Sequence, residues 1–68
     1  MKQSQREAYR SHLHDMARAE TLEEMMASKM WALSCIDNMR KSVSEKEASD
    51  METTVKVFEY KARKRLVL

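Results

Sequence analysis

Glycine and proline are missing altogether from the chain. Turns that need left-handed backbone are therefore disfavoured, and none of the Asn-Gly, Asp-Gly or Gly-X pairs that close a β-hairpin occurs. An all-β fold is excluded on that ground. Cysteine is nearly absent too: Cys35 stands alone, so no disulfide can form within the chain, and with only two histidines there is no four-ligand set for structural zinc. Glycine-rich phosphate loops and strand-turn-helix nucleophile elbows are likewise lacking. Neither an enzyme nor a cofactor, metal or small-molecule substrate is expected. No apolar run approaches the ~18 residues of a membrane span, and the start Met1-Lys2-Gln3-Ser4-Gln5-Arg6 is polar with no signal-peptide core behind it. A cytoplasmic location is the expectation, and the unpaired Cys35 agrees with a reducing compartment.

What is present favours helix, since Ala, Met, Leu, Glu, Lys and Arg fill most positions. The 68 residues make one helical domain at most, and a chain this short buries only about 60% of its unfolded surface. The formal charge is +2 with 35% of residues charged and both signs interspersed, which is ordinary for a soluble protein and not the balance of a strongly basic nucleic-acid binder.

Helix starts can be read from capping pairs. Ser4 with Glu7, Thr21 with Glu24 and Ser44 with Glu47 each form a capping-box pattern, and Val43 with Ala48 adds a hydrophobic staple to the third. The apolar phase supplies a second test. At about 100° per residue, Tyr9, Leu13 and Met16 centre on one direction, and Leu22, Met26, Met30, Leu33 and Ile36 on another roughly 150° away. A break near Ala19-Glu20-Thr21 follows, the alternative being one continuous helix that meets different partners on its two faces. Ala48, Met51, Val55, Phe58 and Ala62 step by three and four, with Leu66 one turn on, as in a heptad seam. Thr53, Thr54, Val55 and Val57 lower local helix propensity, but seam and flanking charges favour helix. The spacing predicts helices at about 5–18, 22–40 and 45–65, the last two forming an antiparallel hairpin and the first a short N-terminal addition.

So small an assembly has little room for a closed core, and pairing with a second copy is the expected completion: a homodimer that buries the seam of helix three (Met51, Val55, Phe58) and the Met-rich face of helix two (Leu22, Met26, Met30, Leu33, Ile36). A monomeric three-helix bundle is the alternative. Met16, Met25, Met26, Met30, Met39 and Met51 are read mainly as core, although Met-rich surfaces also adapt to varied partners. Trp31 lies off the centre of its stripe and is the best single hot-spot candidate.

His12 and His14, two residues apart on a helix, point about 200° from one another and cannot share a metal. Asp15 could orient either ring; both histidines read as solvated or interface residues. Cys35 reads as a small hydrophobe beside Ile36. Glu20, Glu23 and Glu24 suit the positive end of helix two, and Lys61, Arg63, Lys64 and Arg65 the negative end of helix three. A functional reading of those four cations, with Tyr60 beside them, is contact with a phosphate backbone or an acidic protein. Glu45, Glu47, Asp50, Glu52 and Glu59 on the same helix oppose a duplex lying along it. Exposed helix one, with Arg6, Tyr9, Arg10 and His14, offers the other contact face.

Two families share features with this pattern. In size, glycine-free helical make-up and the style of the stretch Val57-Phe58-Glu59-Tyr60-Lys61-Ala62-Arg63-Lys64-Arg65, the chain resembles the small all-helical early proteins of lambda-like temperate phages, those of the exo–xis region. That resemblance implies a developmental regulator that contacts host or phage proteins, and it carries over no functional residue. Thr21-Leu22-Glu23 followed by Ser44-Glu45-Lys46-Glu47 is similar to the Hha-type nucleoid co-regulators, though the gap is several residues longer and that family's aromatic C-terminal segment is absent. The functional expectation is a non-enzymatic adaptor or regulator that works by protein–protein contact with an unidentified partner. The alternative is a small nucleic-acid binder using the basic end of helix three; a bundle with a purely structural role is a third reading.

Overall fold

The computed structural model describes residues 4–67, so Met1, Lys2 and Gln3 of the polar start lie outside the described residues. The fold is all-α: α1 spans Gln5–Arg18, α2 Leu22–Met39 and α3 Glu45–Val67. Each helix begins where a hydroxyl can replace a missing carbonyl. Ser4 Oγ accepts from the Glu7 amide, Thr21 Oγ1 from that of Glu24 and Ser44 Oγ from that of Glu47, each at 3.1 Å. These bonds satisfy amide donors that the first helical turn leaves orphaned.

The chain reverses twice without glycine by using ordinary backbone conformations. Between α1 and α2, Ala19 (ψ 141°) and Thr21 (φ −132°, ψ 159°) are extended, and no described residue has a positive φ. Between α2 and α3 the amides of Ser42 and Val43 both donate to the Met39 carbonyl, at 2.8 and 3.0 Å. Val43 then packs against the core.

Helices α1 and α2 are the most extensively packed pair, so α1, the shortest helix, packs on its own α2–α3 hairpin. The ties fix the directions. Arg6 meets Glu47 near the starts of α1 and α3, and Arg65 meets the end of α1, so these two run parallel. Lys29 pairs with Glu59 and Arg40 with Glu52, so α2 runs antiparallel to α3.

One shared core holds Tyr9, Leu13 and Met16 of α1, Met25, Ala32, Cys35, Ile36 and Met39 of α2, and Ala48, Met51, Val55 and Ala62 of α3. Phe58 and Leu66 pack beside it, which is the three-and-four spacing read from the sequence. On α2 the buried direction differs from expectation by roughly 100° of rotation, one residue step. Leu22, Met26 and Met30 are exposed, Leu33 is half-buried, and only Ile36 of that set is buried. The reason is that α2 packs against two neighbours, α1 and α3, and its core side includes the small buried side chains of Ala32 and Cys35. A hydrophobic average over large side chains gives such contact positions too little weight.

The backbone measures 38 × 28 × 13 Å. Two packed helices are about 13 Å across their backbones, so the molecule is a plate two helices deep. In so thin a plate every helix keeps an outer face.

Candidate docking face

The outer face of α2 is built by a simple arrangement. Met25, Ala32 and Cys35 are buried in the core, and Lys29 and Arg40 reach α3. The side left over carries Ala27 and Ser34 along its mid-line, with Met30 towards α3 and Trp31 towards α1. These four residues line a shallow notch of about 330 Å³. Met30 is 69% and Trp31 62% exposed, and Leu22 and Met26 extend the apolar surface towards the start of the helix. The Trp31 ring stacks on His12 of α1, with centroids 6.0 Å apart and planes inclined at 21°. That contact fixes the ring at low entropic cost to a partner. His12 also stands 3.8 Å from Asp15, and among the described residues no group of three His, Cys, Asp or Glu side chains could hold a metal ion.

The expected contact set on α1 is divided by the structure. Arg10 and His14 are exposed. Arg6 is engaged, its Nη2 2.7 Å from Glu47 Oε1. Tyr9 is not a surface residue at all: it is 6% exposed, and its hydroxyl donates to the Met51 carbonyl at 2.9 Å. Burial pushes the phenol up from its ordinary value, partly offset by a hydrogen bond with Thr54. The ring belongs to the core because it closes the gap between α1 and α3 while its one polar atom finds a partner.

The basic end of α3 is divided in the same way. Arg65 Nη2 donates to the carbonyls of Ala17 and Ala19 at 2.9 and 2.8 Å, capping the C-terminal end of α1. Arg63 Nε lies 3.2 Å from Glu59 Oε2, and its Nη2 3.7 Å from Met26 Sδ. Glu59, shared by Lys29 of α2 at 3.0 Å and Arg63 of its own helix, is a polar bridge between α2 and α3, as is the Arg40–Glu52 pair. Burial raises its carboxyl, but the two cations together outweigh that and hold it below the ordinary carboxylate value. Lys61 and Lys64 project outward. A cleft of about 270 Å³ lined by Ala17, Phe58, Lys61, Ala62 and Arg65 lies beside them. Because Arg65 binds the Ala19 carbonyl, this end also adjoins Glu20, Glu23 and Glu24, which offset its positive charge.

Cys35 is buried in the core, and burial pushes its thiol up, away from the reactive thiolate form. No helix among the described residues is long and apolar enough to cross a membrane. Reasoning from the sequence passed over Ala27 and Ser34, and it read His12 as a solvated or interface residue without placing it against Trp31. The seven-residue interval between Ala27 and Ser34, which puts two small residues on one line, is the signal that could have marked them. No family model matches the chain, and no curated protein or solved structure matches it.

Proposed function

We propose that the protein is a non-enzymatic helical regulator or adaptor that acts by protein–protein contact as a cytoplasmic homodimer, the outer face of α2 being its docking surface. The observation that carries this reading is the contiguous apolar face on which Met30 and Trp31 stand 69% and 62% exposed. Trp and Met are enriched in the desolvated centres of interfaces. A developmental regulator of a lambda-like phage, working in host cytoplasm, is the specific form of this proposal that the resemblance supports. Phosphate contact by α3 is the rival. Of its four cations, Arg63 and Arg65 are committed to Glu59 and to backbone carbonyls, which leaves Lys61 and Lys64.

The test compares wild type with Met30→Glu and Trp31→Ala in capture from producing cells, alongside sedimentation with a short DNA duplex over a range of salt. The expected result is a protein retained by wild type and lost by both variants, a second copy of this chain counting as such a partner, and no complex with the duplex. A duplex complex that forms at low salt, dissolves as salt rises and is lost in a Lys61→Gln, Lys64→Gln double variant would overturn the reading in favour of phosphate binding.

A further inference from the structure

We infer that the outer face of α2 is covered by the same face of a second copy, the two α2 helices lying antiparallel about a twofold axis that passes between Met30 and Trp31. The inference rests on the docking reading above and names the occupant and its geometry.

The spacing of the face is self-complementary. With the axis between residues 30 and 31, position 27 of one helix falls at the level of position 34 of the other. Ala27 then lies opposite Ser34 along the mid-line, in both directions at once. Two small side chains in that place let the helix backbones approach to the short end of the usual range, about 8 Å. The same axis keeps each flank with its own kind: Met30 meets Met30 of the second copy on the α3 side, and Trp31 meets Trp31 on the α1 side. An isologous contact has this property, since one patch serves both partners.

Charge selects the antiparallel sense. The start of α2 carries Glu20, Glu23 and Glu24, and its end is followed by Arg40 and Lys41. Glu23 lies one residue inside the start of α2, and Lys41 lies in the turn just beyond its end. Antiparallel pairing brings the start of α2 of one copy, with Glu23, beside the end of α2 of the other, which Lys41 follows. Parallel pairing would oppose like charge to like. Glu24 and Asp37, which meet at one level, fall on opposite flanks of the seam, and Asp37 is already held by Arg40 at 3.3 Å.

The area required is a modest part of the surface. A standard interface takes about 800 Å² from each partner, a modest fraction of the chain's 5247 Å². The seam alone is an 18-residue helix, and its neighbours widen it. His12 stands against Trp31 on one side. Met30 and Tyr60 each follow by one residue the Lys29–Glu59 pair, so exposed Tyr60 adds ring surface on the other.

The test is sedimentation equilibrium from micromolar to millimolar protein, with helix content followed by circular dichroism. Wild type is expected to dimerise, and Met30→Glu, at an exposed position, to keep its helix content while the dissociation constant rises at least about tenfold. Lys41→Glu should weaken the dimer at low salt, and adding Glu23→Lys should restore it. Oxidising a mixture of Ala27→Cys and Ser34→Cys proteins should give a cross-linked dimer that neither gives alone. A wild type that stays monomeric at millimolar concentration overturns self-pairing and leaves docking of another protein to the capture experiment. A dimer indifferent to Met30→Glu, or cross-linked by Ala27→Cys alone, overturns the proposed face or its antiparallel sense.

Discussion

Replacing Arg65 with Gln removes the charged donor that caps α1 from across 46 residues of sequence. One guanidinium nitrogen serves two carbonyls, at 2.9 and 2.8 Å, and the second bond is part-buried. A hydrogen bond to a charged group contributes about 1.5–3 kcal/mol when well shielded. Because the side chain is largely in solvent, a loss of roughly 1–2 kcal/mol for the pair is the expected magnitude. In a domain this small each kcal/mol moves Tm by about 4–8 °C, so a fall of roughly 4–16 °C should be visible in a far-UV circular dichroism melt. Lys61→Gln and Lys64→Gln serve as controls, since both side chains are exposed and their substitution should stay within about 0.5 kcal/mol of wild type. An Arg65→Gln protein that melts with the two lysine variants would refute the capping role and return Arg65 to the pool of cations free for a ligand.

Tyr9→Phe keeps the buried ring but loses the bond to the Met51 carbonyl, and urea denaturation should show a loss of about 1 kcal/mol; an unchanged midpoint would mean that bond contributes nothing net. Ala32→Leu forces a larger side chain into a position with no exposed surface and should cost about 1–3 kcal/mol. Ala27→Leu, on the outer face, should leave the circular dichroism spectrum intact and impair only self-association. Glu59→Gln tests pH linkage. A carboxyl held below its ordinary value stabilises the fold fully above the unfolded-state pKa of about 4.3, and that contribution fades as pH falls through the folded value. The gap between wild type and Glu59→Gln, up to about 1 kcal/mol at neutral pH, should therefore close on acidification. A gap that widened instead would show that the Lys29–Glu59–Arg63 bridge is not the source.

Local chemistry was legible before any coordinates. The three caps involve residues three apart, so Ser4, Thr21 and Ser44 could each mark a helix start without knowledge of the rest of the chain. The stripe of α3 was equally readable, because one continuous line of Ala48, Met51, Val55 and Ala62 meets both neighbours. Three features depended on contacts between residues distant in sequence. Tyr9 looked like a surface aromatic among Arg6, Arg10 and His14 until α3 supplied a carbonyl 42 positions away to accept its hydroxyl. Arg65 looked like one more cation in a basic run until the end of α1 came within 3 Å. Helix α2 held the largest surprise, since Leu22, Met26 and Met30 form the more obviously hydrophobic side, yet Met25, Ala32, Cys35 and Met39 are on the side buried in the core.

Sequence alone thus determined where helices start, that they are helices, and that strands and disulfides are excluded, because these follow from residue type and short-range geometry. Tertiary structure decided which face of α2 turns inward. Small side chains there gain from close approach by a neighbour whose position no local rule encodes, and the large apolar residues they displace are left on the surface as the candidate docking face.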